Sequence, residues 1–131
     1  MKKLNLVKVE WSEFRLELKD KIERIGINAN DPNLFTSIDK ACSNEWAFLF
    51  LAPDGFVILK PKHKRSVTSV EVTAAYCDGG NALNKYQPNI VKLAKMTSAK
   101  FIQFYTIRKG FLKVGPQLGW SLFGYHRKLA I

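Results

Sequence analysis

The chain has 131 residues, 47% of them apolar and 24% charged, with a formal net charge of +10. This composition suits one globular domain and excludes wholesale disorder, and the longest apolar run, Trp46 to Pro53, is far too short to span a bilayer. The basic opening Met1-Lys2-Lys3-Leu4 lacks the long apolar core of a signal peptide, and Cys42 and Cys77 lack metal-ligand spacing. A soluble, cytoplasmic protein with free thiols is therefore expected.

Leu4 to Val9 alternates as a first strand. From about Glu10 the apolar spacing changes: Trp11, Phe14, Leu18, Ile22 and Ile25 form one stripe of an amphipathic helix, which Gly26 is expected to end. "NANDP" is a turn, and Leu34, Ile38 and Ala41 predict a short second helix. "WAFLFLA" (46–52) is a dense strand, "PDG" (53–55) a tight turn, and Phe56 to Leu59 the returning arm of a hairpin. "KPKHKR" (60–65) breaks the pattern and reads as a solvated loop. "SVTSVEVTAA" (66–75) is the next strand.

"YCDGGNALNKYQ" (76–87) then passes through two glycines into a helical stripe of Leu83, Tyr86, Ile90, Leu93, Ala94 and Thr97. Pro88 is tolerable there if it lies in the first turn, where an amide has no intrahelical partner. "KFIQFYTI" (100–107) is a strand, "RKGFLKVGPQLGW" (108–120) a short helix or turn, and Ser121 to Leu129 a last strand. This order of elements predicts an α+β or mixed α/β fold. If the strands at 66–75 and 100–107 are parallel, the helix between them is a crossover.

The charge is unevenly placed. Residues 1–59 carry 8 Lys/Arg and 9 Asp/Glu, whereas residues 60–131 carry 13 Lys/Arg and 2 Asp/Glu, a net +11. The second half should face something anionic, such as a nucleotide cofactor, nucleic acid or an acidic partner; the alternative is a solvated basic face. A strand, a glycine turn and a helix N-terminus also make a ready anion site, because glycine admits close approach and the amides around Asn81 to Leu83 can point into one pocket. The same arrangement is a common structural connection.

Five short motifs sit on this order: Trp46 opening the second strand, Asp78-Gly79-Gly80 before the central helix, Leu93-Ala94 near its end, Arg108-Lys109-Gly110-Phe111 after the fifth strand, and Gly119-Trp120 opening the last segment. Together they resemble the GNAT acyltransferase fold, and more narrowly the short GNAT-like proteins of bacteriophages and related bacterial genomes. The resemblance covers nearly the whole chain. It implies a single domain over 1–131 with a mixed central sheet of about six strands flanked by helices. It also implies acetyl-CoA (acyl-coenzyme A) as cofactor, an amine acceptor of unknown identity, and a monomer or homodimer.

"CDGGNA" (77–82) keeps the Gly80-x-Ala82 half of the family's pyrophosphate motif and has Cys77 where Gln or Arg is usual. The resemblance thus marks Cys77, Gly79, Gly80, Asn81, Ala82 and Leu83 as cofactor-binding, with Val72 and Ala74 on the preceding strand. Arg108, Lys109 and Lys113 lie where coenzyme A phosphates would be, or form a solvated face. Asp78 is an unfavourable neighbour for a phosphate.

Transfer of an acetyl group to an amine requires a base for the amine and an acid for the departing thiolate. Glu71 is the candidate base, lying on the strand where some GNAT enzymes hold theirs. Because the even positions Thr68, Val70, Val72 and Ala74 are the more apolar set, Glu71 is expected to face solvent. Tyr105 is taken as the acid, with Tyr76, Tyr125 and His126 as alternatives; Gly115 stands where many family members carry the acidic tyrosine. Cys77 is reactive if the helix N-terminus lowers its pKa, and inert if buried. An N-acetyltransferase is the first reading, a GNAT-fold binding or virion-associated protein without catalysis the second, and a basic nucleic-acid-binding module the third.

Overall fold

The computed structural model describes residues 6–105, 121–123 and 126–130, with side chains up to residue 103. In chain order the elements are β1 (Val7–Val9), α1 (Trp11–Asn28), α2 (Leu34–Ser43), β2 (Phe48–Ala52), β3 (Gly55–Lys64), β4 (Val67–Cys77), α3 (Ala82–Met96), β5 (Phe101–Tyr105), β6 (Ser121–Phe123) and β7 (His126–Ala130). The seven strands form one sheet in the order β1-β2-β3-β4-β5-β7-β6. Every neighbouring pair is antiparallel except β4 and β5, which run parallel. The segment expected to be one last strand is instead an antiparallel pair, with Phe123 opposite His126. The region 106–120, including the short helix or turn expected there, lies outside the described residues.

Helices cover both faces of the sheet, so the central strands are apolar on both sides. Phe56 and Ile58 of β3 face α1 and α2, packing with Ile22, Ile38 and Leu49. Val57 and Leu59 face α3, packing with Tyr86, Ile90 and Ile102. Of the stripe predicted on α1, Trp11, Leu18 and Ile22 are buried, and Phe14 and Ile25 pack partly buried beside them.

Gly26 does not end α1, which continues to Asn28. Its role is close approach: the Asp31 amide donates to the Gly26 carbonyl at 2.7 Å, and a Cβ at position 26 would stand 2.4 Å from the Asp31 carbonyl oxygen. Pro88 is the seventh residue of α3, beyond the first turn that was expected to hold it. Its pyrrolidine removes the amide that would serve the Asn84 carbonyl, and both residues lie on the exposed side of the helix, where water can replace the bond.

"KPKHKR" is not a loop. Lys60 to Lys64 extend β3 in register with Val67 to Glu71, and the hairpin turns at Arg65 and Ser66, with φ of 53° and 67°. Two left-handed residues in a tight turn match the twist of the flanking strands. Pro61 is accommodated because β2 pairs only as far as Leu59, leaving β3 as an edge beyond it. Trp46 likewise lies before the strand it was expected to open, and is 53% exposed.

Candidate functional site

The ladder between β4 and β5 is short. Ser69, Val70 and Glu71 pair with Phe101, Ile102 and Gln103, and the parallel register stops there. β4 continues to Cys77 against β3, while Phe104 and Tyr105 of β5 continue against Arg127 and His126 of β7. Two parallel strands that part company leave backbone groups of β4 facing the gap, because among the described residues no strand continues the ladder there.

A bulge in β4 accompanies the parting. Ile58 is opposite Ala74 but Leu59 is opposite Val72, so Thr73 is the extra residue. An inserted residue reverses the inward and outward alternation beyond it. Val72 therefore packs on the α3 side and Ala74 on the α1 and α2 side, although both were placed on one face from their even numbering.

Glu71 does not face open solvent. Both sheet faces are covered, and its side chain, 20% exposed, turns to the α1 and α2 side. There it accepts a hydrogen bond from Lys62 Nζ at 2.9 Å on one carboxylate oxygen and from Thr73 Oγ1 at 3.3 Å on the other. It lines a cleft of about 530 Å³ between the sheet and the first two helices. Lys60 and Thr73 line the sheet side with it, and Ile25, Leu34 and Ala41 form an apolar wall opposite. Asn30, Asp31 and Ser37 lie at the exposed mouth. Lys60 and Lys62 were missed as site residues because the basic run was read as a loop; strand alternation through Pro61 was the available signal.

At the other end of β4, Cys77 is buried and its thiol donates to the Gly80 carbonyl at 2.8 Å. Burial pushes its pKa up, so the reactive thiolate that a helix N-terminus can create is not formed. Gly79 and Gly80 have φ of 88° and 83°, and Asn81, the N-cap of α3, is also left-handed at 62°. No side-chain hydrogen bond caps the helix, and a Cβ at either glycine would meet nothing within 4 Å. Ala82 and Leu83 open the helix and Asp78 is exposed in the loop. Open glycines beside uncapped helix amides fit a pyrophosphate.

The loop is braced from below by contacts that the sequence did not announce. Asp54, in the turn between β2 and β3, accepts from the Tyr86 hydroxyl at 2.6 Å and pairs with Lys85, while its carbonyl receives the Asp78 amide at 2.8 Å. Tyr76, an alternative acid, donates to Asp78 at 3.1 Å, which raises its pKa. Its ring stacks on Phe56, with Lys21 Nζ 4.9 Å from the ring centroid. Tyr105 ends β5 two residues beyond Gln103; its side chain, and Arg108, Lys109, Lys113 and Tyr125 altogether, lie outside the described residues. Among the described residues no cluster of His, Cys, Asp or Glu could hold a metal ion, and no helix is long and apolar enough to cross a membrane.

Comparison with solved structures assigns the architecture. A probable acetyltransferase matches with a TM-score of 0.65 at 15% identity, covering 92% of this chain and 91% of its own. A point mutant of the AtaT toxin, solved with the C-terminus of the antitoxin AtaR and acetyl-CoA, matches with a TM-score of 0.50 at 11% identity, covering 76% and 77%. No family model matches, and no curated protein does. The chain has a GNAT-like α+β fold with helices on both faces of a mixed sheet.

Proposed function

We propose that the protein is a small acyl-CoA-dependent N-acetyltransferase. The observation that carries this reading is the parting of parallel β4 and β5 after Glu71 and Gln103, beside the open glycines that precede α3. The uncapped amides of Ala82 and Leu83, with the loop at Cys77, Gly79, Gly80 and Asn81, would hold the pyrophosphate. The backbone of Val72 and Ala74 would bond the amide groups of the pantetheine arm much as a strand is added to a free edge. Arg108 and Lys109 would neutralise the remaining phosphate charge. When bound, acetyl-CoA supplies a thioester carbonyl for attack and a thiolate that leaves. Glu71, in the cleft under α1 and α2, receives a proton from the incoming ammonium, and Tyr105 is the proposed donor to the thiolate. The narrower likeness to phage-type proteins and a cytoplasmic setting belong to this proposal through the sequence alone.

A second reading keeps the fold without the reaction. Cys77 in the phosphate motif and Gly115 in place of the usual tyrosine favour it. Thermal melting with and without acetyl-CoA tests the first reading. A ligand specific to the native state at about one hundred times its Kd adds about 2.7 kcal/mol of stability, and the melting temperature rises accordingly. The rise should vanish in Gly80→Asp and persist in Gly80→Ala, which shares the backbone strain but not the charge. No rise at saturating acetyl-CoA would leave the non-catalytic reading in front.

A further inference from the structure

The cleft beside Glu71 contains a charge arrangement that a generic amine site does not need. Lys60 and Glu71 are directly opposite each other on β3 and β4 and line the same cleft. Cross-strand neighbours have Cβ atoms about 5 Å apart, close enough to form an ion pair. They do not form one here. Glu71 instead takes Lys62, which is paired in register with Ser69, two positions along β4. Among the described residues Lys60 has no ion-pair partner, although it is only partly exposed. Lys60 is thus a partly buried residue with an unpaired charge, and Glu71, with Lys62 and Thr73 on two of a carboxylate's roughly four acceptor sites, can still accept hydrogen bonds from a further donor beside it.

The wall opposite is apolar, formed by Ile25, Leu34 and Ala41, and Asp31 adds a second carboxylate at the mouth. A cavity of about 530 Å³ is the size of a small-molecule site. A monoamine would pair with Glu71 and leave Lys60 unmatched. A ligand with an ammonium and a carboxylate a few bonds apart satisfies both groups, and an aliphatic side chain on it would cover the apolar wall.

We propose that this cleft binds an amino acid with an apolar side chain, its carboxylate on Lys60 and its amine on Glu71. As an acceptor assignment this rests on the acetyltransferase reading; as a binding site it does not. Isothermal titration of the full chain with L-leucine, isoamylamine and isovalerate tests it, with Lys60→Met as the variant. Wild-type protein should bind leucine saturably and isoamylamine or isovalerate at least about tenfold more weakly. Lys60→Met should lose most of the preference of leucine over isoamylamine while keeping the wild-type melting temperature. Equal binding of leucine and isoamylamine, no leucine binding at about 10 mM, or undiminished leucine binding by a folded Lys60→Met would each overturn the proposal. Leucine binding through Lys60 in a protein that ignores acetyl-CoA would instead sink the acetyltransferase reading alone. Acetyl-CoA binding without leucine binding would sink this one alone.

Discussion

The Tyr86 hydroxyl donates a hydrogen bond to Asp54 at 2.6 Å, joining the second turn of α3 to the turn between β2 and β3. The tyrosine is completely buried, and Lys85 adds an ion pair to the same carboxylate. The glycine loop leaves β4 between these two anchors, so its course depends on both.

Tyr86→Phe should therefore destabilise the protein by about 1–3 kcal/mol, the range for removing a partner from a buried hydrogen bond to a charged group. Urea denaturation measures it. The pH dependence identifies the cause. Burial, together with the nearby Asp54 carboxylate, raises the Tyr86 pKa above its ordinary 10.0. Above pH 10 the unfolded chain therefore gives up this proton first, and stability falls as pH rises. The Lys85 and Tyr86 hydrogen bonds lower the Asp54 pKa below its ordinary 3.8, so its contribution is lost as pH falls through 3.8 and below. Tyr86→Phe should flatten the alkaline limb of a melting-temperature profile; an unchanged limb would contradict the assignment.

Gly55 has no room for a side chain. A Cβ there would stand 1.9 Å from the Tyr76 carbonyl oxygen and 2.7 Å from the Tyr86 hydroxyl. Gly55→Ala should cost about 3 kcal/mol through forced movement of two backbones. Gly79→Ala, facing open space at φ 88°, should cost only the backbone strain of about 1 kcal/mol. Chemical denaturation of the pair distinguishes crowding from strain.

As the base of the proposed reaction, Glu71 should be replaceable only at a large kinetic cost. Glu71→Gln should lower turnover by about 100-fold near neutral pH and leave the acetyl-CoA-induced rise in melting temperature intact. Unchanged turnover would remove Glu71 from the mechanism.

Both described thiols should be sluggish. Burial pushes the Cys42 pKa up to about 11 and that of Cys77 upward as well. An aromatic disulfide reagent at pH 7.5 should titrate neither until denaturant is added, whereas rapid labelling of the native protein would show an accessible thiolate.

The apolar stripes read from α1, α2 and α3 hold in the structure, except that Thr97 is an exposed residue just past the end of α3, because a helical face is written at fixed spacing: Tyr86, Ile90 and Ala94 are buried at successive fourth positions. The strand, glycine turn, helix and strand at 66–107 were legible in order, and the structure supplied the condition left open there, the parallel pairing of β4 and β5 that makes the helix a crossover. The basic run at 60–65 was misread because proline and charge mark loops as well as edge strands. Whether β2 reaches far enough to cover that edge is not written in the run itself.

Local sequence determined where chain segments coil or extend, which glycines permit left-handed turns, and that the positive charge gathers after residue 59. The tertiary structure decided that Glu71 lies in a cleft and not in solvent, because helices cover both faces of the sheet, and that Ala74 leaves the face of Val72, because one extra residue at Thr73 reverses strand alternation. It also decided that Lys62 and not Lys60 neutralises that carboxylate, and that Asp54 reaches Tyr86 from 32 residues away. Such pairings depend on register between strands and on the docking of a helix, and both are set by burial summed over the whole core, to which no short stretch of residues has access.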